Sequence, residues 1–208
     1  MREVHWQLDI ETTDTDPKID DILQIALVEC RYRDGFWQPG RFFNKFLHTD
    51  KDPATQFAKD HMADLFKKCQ KVPYEEPESV RGEILGFLRE CGVRTPYVYI
   101  MGWNVSALDI PFMVEKGYLR PFYRQTIEGM DIATGDFHYR VYEQSGSISL
   151  AQCVLGIENR NDLVARAQVD YHEIALPTDG KDHDALYDCY RQLKVENGLI
   201  RLIRQKFA

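Results

Sequence analysis

The sequence predicts a mixed α/β sheet with helices packed on it, and three observations lead there. Residues 4–11 alternate strictly between apolar and polar side chains. Two more β-rich runs follow at once, separated by a turn signal. Beyond them, helical periodicity takes over and is broken by a short β-rich run. Strands first as a meander, then helices alternating with strands, is the pattern of a sheet covered by helices.

Each element has its own justification. Val4, Trp6, Leu8 and Ile10 point one way and His5, Gln7, Asp9 and Glu11 the other, the period of a strand. Ile22 to Arg33 is rich in Ile, Leu, Val and Tyr, and Phe36 to His48 follows Asp34-Gly35, so the pair reads as a hairpin. Pro39-Gly40 should bend or bulge its second strand. Ala54 to Lys68 suits one helix, with Phe57, Met62, Leu65 and Phe66 as its apolar positions. Ser79 to Cys91 carries a stripe of Val80, Ile84, Phe87, Leu88 and Cys91. Tyr97 to Met101 is a short strand ending at Gly102, and Ile110 to Lys116 is a helix closed by Gly117. Ser147 is a candidate cap for a helix over 148–155 with Gly156 as its stop. Asp184 to Val195 is helical, and Asn197-Gly198 is expected to interrupt it before an amphipathic stretch that packs Leu199, Ile200, Ile203 and Phe207.

Composition excludes several classes. The chain has 208 residues, 44% hydrophobic and 28% charged, which is ordinary for a globular protein and too apolar for a disordered one. No apolar run is long enough to span a membrane, and the charged first fifteen residues are unlike a secretory signal. Five scattered cysteines without a CxxC pair speak against a disulfide framework or zinc knuckle and for a reducing, cytoplasmic location. The net charge of −7 is unlike that of a protein that coats nucleic acid. Residues 189–208 nevertheless carry +4, which leaves −11 for the rest. Part of that negative charge fits a cluster that awaits divalent cations.

Three acidic features stand out. Asp9 and Glu11, two apart on a strand, share a face about 7 Å apart along the chain. Adjacent carboxylates repel unless a metal lies between them, and hard oxygen ligands suit Mg²⁺ or Mn²⁺. Alone the pair is weak, because roughly one Asp-x-Glu is expected by chance in this composition. The second feature is Gly102-Trp103-Asn104 followed by Asp109 and Phe112; Asp109 sits where a helix begins and reads equally as an N-cap. The third is His183-Asp184-Ala185-Leu186-Tyr187-Asp188. Five helical residues rotate about 140°, so His183 and Asp188 reach one site only if His183 lies in the preceding loop, for which 178–182 is suited. His48, His61, His138 and His172 lack an acidic partner at ligand spacing and read as core or surface residues. Trp103 and Phe112 are more readily core residues than base-stacking platforms.

In order and spacing, Asp9-Ile10-Glu11-Thr12-Thr13, then Asn104 with Asp109 and Phe112, then His183-Asp184-Ala185-Leu186 with Asp188, resemble the three motifs of the DEDDh family. These are the DnaQ-like 3′→5′ exonucleases, among them proofreading subunits, ribonuclease T and oligoribonuclease. Met130-Asp131, and Ser149-Leu150 leading to Leu155-Gly156, add lesser points of similarity. The resemblance implies a ribonuclease-H-like fold with a five-stranded mixed sheet, its first three strands antiparallel, as a single domain over 1–208. It implies two Mg²⁺ or Mn²⁺ ions. Asp9 would bridge both, Glu11 and Asp188 would hold the ion that activates water, and Asp109 would serve the second. His183 would be the general base, and Thr12, Thr13 and Asn104 would meet the substrate at a single-stranded 3′ end, Thr12 and Thr13 through backbone N–H groups. One departure is Asp14, which stands where the family usually has glycine.

The expected activity is metal-dependent release of nucleoside 5′-monophosphates from the 3′ ends of single-stranded DNA or RNA. Two alternatives stay open at this level: an oligoribonuclease-like enzyme for short oligonucleotides, and a catalytically silent module that only binds nucleic acid or a partner. Silent copies typically lose a metal ligand, whereas all four acids and His183 are present. Sequence also leaves open whether the chain acts alone, as a homodimer, or beside a polymerase or repair partner.

Overall fold

The alternating first run forms β1 (Val4–Thr12), which lies at the centre of the sheet. The structure is a computed structural model that describes residues 4–93, 97–120, 123–127, 130–134, 138–177 and 183–208. β2 (Ile22–Arg33) pairs antiparallel with β1, and β3 (Phe36–Phe46) pairs antiparallel with β2. The hairpin between them turns on Asp34 and Gly35, both at positive φ (52° and 87°), the conformation a two-residue turn needs to match strand twist. The bulge expected at Pro39-Gly40 is present: Cys30 pairs with Pro39 and Val28 with Phe42, so Gly40 and Arg41 together face Glu29.

On the other side of β1 the sheet becomes parallel. β4 (Tyr97–Gly102) runs parallel to β1, and β7 (His138–Glu143) runs parallel to β4. The order β3-β2-β1-β4-β7 gives five strands, the first three antiparallel, as the resemblance implied. β5 (Tyr123–Ile127) and β6 (Met130–Thr134) form a separate antiparallel pair. β5, β6 and β7 have no clear alternation in the sequence and were not expected from it individually.

Helices cover both faces. Trp6, Leu8 and Ile10 pack against α3 (Pro77–Glu90), through Val80, Ile84 and Leu88, and against Ile110, Phe112 and Met113 of α4 (Asp109–Glu115). The opposite face, with Ala26, Val28, Cys30 and Met101, receives Ala185, Cys189 and Leu193 of α7 (Ala185–Phe207). α5 (Gln144–Leu155) and α6 (Arg160–Asp170) pack on the second half of α7.

Four expectations are corrected. The helix expected over 54–68 is two, α1 (Gln56–His61) and α2 (Ala63–Cys69), which meet at Met62 with φ −118° and ψ 4°. The bend brings Ala58, Met62, Phe66 and Cys69 together against Leu23, while Phe57 stays 53% exposed. Next, α5 starts a turn before Ser147 and is capped by the Glu143 carboxylate, which accepts from Ser145 N–H; Gly156 ends it in the left-handed region as expected. Third, α7 runs unbroken for 23 residues through Asn197-Gly198. Asn197 is spent on packing, since its amide accepts from Trp37 N–H (2.8 Å) and donates to Trp37 C=O (2.8 Å). Gly198 is required by close approach, because a Cβ there would lie 2.0 Å from the Ala167 carbonyl oxygen. Last, Leu199 and Leu202 are buried, but Phe207 is 74% exposed and is no core residue. Among the described residues no helix is long and apolar enough to cross a membrane.

Candidate active site

The three parallel strands β1, β4 and β7 all end at the same edge of the sheet, which is where open α/β sheets collect ligands. Asp9 and Glu11 lie at the end of β1, Asn104 just after β4, and Asp109 in the first turn of α4. Asp188 comes from the first turn of α7, which crosses the sheet face behind them. One oxygen from each of Asp9, Glu11 and Asp188 falls within 4.8 Å of the others. Residues near the two ends of the chain therefore converge on one point.

Asp109 is offset from this trio. It is not a helix cap, as the alternative reading had it: Leu108 is the N-cap, and Asp109 Oδ1 accepts the backbone N–H of Ile10 at 2.9 Å, between Asp9 and Glu11. His183 lies outside the helix, as its spacing to Asp188 required, in a left-handed conformation (φ 66°). Its N–H donates to Asp188 Oδ2 at 3.2 Å, and Asp184 caps α7 by accepting from Leu186 N–H and Tyr187 N–H. The suggested loop at 178–182 lies outside the described residues.

The electrostatics are those of an unneutralised acid cluster. Burial first, then Asp109, Glu11 and Asp188 in turn, hold the Asp9 carboxyl well above the usual range. Burial, followed by Asp188, pushes Glu11 up to about 8. Burial lifts Asp109 to about 7 although the Ile10 N–H opposes it. Arg191, one turn beyond Asp188, reaches Asp188 Oδ1 at 3.0 Å and also stands 5.7 Å from the centre of the Trp103 ring. Either protons or a hard cation would relieve this crowding, and an all-carboxylate donor set fits Mg²⁺ or Mn²⁺.

The substrate-side residues are arranged less simply. Thr13 N–H already donates to the Asp21 carbonyl (2.9 Å) and its hydroxyl to Asp20 (3.2 Å), so it has no backbone donor to spare. Thr12 keeps its hydroxyl on the Asp14 carbonyl (2.7 Å). Asp14 does not adopt a left-handed turn; among described non-glycine residues only Asp34, Asn104 and His183 have positive φ. Asn104 is exposed, and its N–H donates to Glu143 Oε1 at 2.7 Å. Phe112 is core, and Trp103 is half-buried against the α5–α7 cluster.

Several neighbours escaped the sequence reading. His61, taken as bland, has its ring 5.7 Å from that of His183, and Phe57 lies 4.9 Å from His183 edge-on. His48 bonds the Val72 carbonyl at 2.7 Å and Asp50 at 3.0 Å. Glu143 pins the loop after β4 by accepting from Asn104 N–H, Ser106 N–H and the Ser106 hydroxyl. Gln192 donates to Asp9 Oδ1 at 2.7 Å. Only Gln192 left a trace in the sequence, its position one helical turn after Asp188.

Comparison with family sequence models and with curated proteins gives no match. Solved structures do match. Cell-death related nuclease 4 superposes with a TM-score of 0.61 at 15% identity, over 98% of this chain and 64% of that one. Exonuclease X in complex with 5′-overhanging duplex DNA gives 0.53 at 15%, over 98% and 93%. E. coli exonuclease I, in its zinc-bound complex with single-stranded DNA, gives 0.56 at 14%, over 93% of this chain and 39% of that one. The chain thus spans less than two thirds of the first of these proteins and well under half of the third. At such identities the likeness is one of fold, and the fold is the ribonuclease-H-like fold that the three motifs implied.

Proposed function

We propose that residues 1–208 form a single DEDDh-type domain, a metal-dependent 3′→5′ exonuclease that releases nucleoside 5′-monophosphates from single-stranded DNA or RNA 3′ ends. The observation that carries this reading is the meeting of Asp9, Glu11 and Asp188 within 4.8 Å, from the central strand and the last helix. The neighbouring structures of exonuclease X and exonuclease I with DNA support a nucleic-acid substrate. Five free cysteines support a reducing, cytoplasmic setting.

In this reading Asp9, Glu11 and Asp188 hold Mg²⁺ or Mn²⁺, and Asp109 serves a second ion from its offset position. When bound, such ions supply positive charge to the attacking and departing oxygens of phosphodiester hydrolysis. His183 takes a proton from the attacking water as the new P–O bond forms and the P–O3′ bond breaks. Its place in the loop before α7, with its own N–H on Asp188, supports a role beside that carboxylate. Asn104, exposed just after β4 and anchored through Glu143, is free to meet the substrate in this reading. Thr12, at the end of β1, would meet the substrate as well, while Thr13 braces the loop that follows through Asp20 and Asp21.

Incubating 5′- and 3′-labelled single-stranded DNA and RNA with the protein and Mn²⁺ tests the proposal. The expected result is early loss of the 3′ label as mononucleotide and a shortening ladder from the 5′ label. Trimming from the 5′ end, or no cleavage of any substrate, overturns it; cleavage confined to the shortest oligomers points instead to an oligoribonuclease-like enzyme.

A further inference from the structure

Behind the carboxylates lies a group of buried glutamines that the proposed chemistry does not use. Gln7, Gln144 and Gln192 are each 3% exposed or less. Gln7 sits on β1 two residues before Asp9, Gln144 opens α5, and Gln192 lies on α7 one turn after Asp188. Gln192 Nε2 donates to Asp9 Oδ1 at 2.7 Å. Gln192 Oε1 accepts from Trp103 N–H at 3.0 Å and from Gln7 Nε2 at 2.6 Å, and Gln7 Nε2 also reaches Gln144 Oε1 at 2.9 Å.

We infer that Gln192 is a positioning residue that holds the Asp9 carboxylate ready for a divalent cation. The inference rests on the metal-binding reading above. An amide has one donor end and one acceptor end, and the surroundings decide which faces Asp9. Two N–H donors, from Trp103 and Gln7, claim Oε1, so Nε2 must point at Asp9. A backbone N–H cannot be reversed, which makes the orientation fixed and not a matter of choice.

The arrangement also explains how segments far apart in sequence come to register. Gln192 joins β1 through Asp9, the end of β4 through Trp103, and the Asp188 turn of α7 through its own helix, where positions four apart share a face. One side chain thus fixes the mutual placement of the three motifs. Hydrogen bonds of this kind orient a ligand before the metal arrives, and their loss typically costs about 10–100-fold in metal affinity.

Mn²⁺ binding to the full chain, followed by electron paramagnetic resonance without substrate, tests the inference. Gln192→Met keeps the side chain's length and removes both hydrogen-bonding ends, and it should weaken Mn²⁺ binding about 10–100-fold. Gln192→Leu is shorter but likewise offers Asp9 no N–H, and it should weaken binding as much; it serves if the Met variant does not fold. Gln144→Met disturbs the same buried group without touching Gln192, and its Mn²⁺ affinity should stay at the wild-type level. Wild-type affinity in either Gln192 variant overturns the inference, and so does an equal loss in Gln144→Met. Asp9→Asn separates the two claims: if it binds Mn²⁺ as tightly as wild type, the metal site itself is misassigned, whatever Gln192 does.

Discussion

Glu29 and the trio of Asp9, Glu11 and Asp188 all place carboxylates inside one fold, but their company differs. Glu29, on β2, has Arg31 at 2.5 Å and Arg41 at 3.7 Å, the latter brought opposite by the β3 bulge. The trio, joined by Asp109, takes N–H groups from Gln192 and His183 and has Arg191 beside Asp188, yet burial and mutual repulsion still raise Asp9 and Glu11. Glu29 is held by cations, whereas the crowded acids are raised by burial and by one another, which costs stability unless something relieves it. Under the proposed function, that something is a cation absent from the folding chain. Chemistry is to be sought where buried acids crowd one another, not at every buried acid.

The largest expected effect comes from removing a member of the crowded group. Asp9→Ala or Asp188→Ala should reduce exonuclease activity to background. Metal-free melting temperature should hold or rise, because a repelling charge is gone. The stabilisation brought by Mn²⁺ should shrink, since ions that bind only the native state raise its stability by mass action. A thermal melt with and without Mn²⁺ reads both, and a mutant that keeps the full metal-dependent shift shows that the removed acid is no metal ligand. Next in size is His183→Ala, for which turnover should fall about 10²–10⁴-fold while Mn²⁺ still binds. Normal turnover in that variant would remove His183 from the chemistry and leave its backbone tie to Asp188 as its role.

Much of this contrast was legible in the sequence, and the illegible part has physical causes. β1 to β3 were readable because alternation, β-branched residues and a two-residue turn are local signals. The motif acids were readable because a fixed spacing on a strand or helix fixes a face. Asn197-Gly198 misled because propensity marks a break, while Trp37 and the Ala167 carbonyl, far away in sequence, supply the reason for those residues. β5, β6 and β7 lack periodicity, so nothing local announces them. The pairing of Glu29 depends on a bulge whose existence was foreseen but whose partner was not. The Gln192 contact to Asp9 spans 183 positions, and no local pattern reports such a distance.

Metal-free stability should depend on pH through the same crowded acids. In the folded state Glu11 is raised from 4.5 to about 8 and Asp109 from 3.8 to about 7, both chiefly by burial. Between the unfolded and folded values the native state binds more protons than the unfolded one, so stability falls as pH rises. The contribution is fully present below about pH 4 and is lost by about pH 8. In EDTA, the melting temperature should decline across this window, and Glu11→Gln should flatten the decline. Saturating Mn²⁺ should reverse it, because the cation then takes the protons' place. A metal-free melting temperature that does not change from pH 5 to 8 would mean the cluster is less crowded than its geometry implies.

The smallest effect belongs to the paired acid, and it completes the contrast. Glu29→Gln keeps the shape of the side chain but leaves Arg31 and Arg41 without their counter-charge. Breaking a fully buried pair costs about 3–5 kcal/mol, but these two arginine side chains are 39% and 52% exposed and can turn to water. The expected loss is therefore about 1–2 kcal/mol, nearer the range of surface pairs. Gly40 leaves room for this carboxylate, since a Cβ there would lie 3.0 Å from Glu29 Oε2. Denaturant unfolding at pH 7 should show this loss, with Mn²⁺ affinity and exonuclease turnover at wild-type values. The two acid groups would then respond oppositely to the same kind of change: neutralising Glu29 lowers stability and spares activity, and neutralising Asp9 spares stability and removes activity. If Glu29→Gln also lowered turnover, β2 would be transmitting strain to β1, and the separation between fold-serving and chemistry-serving charge would not hold.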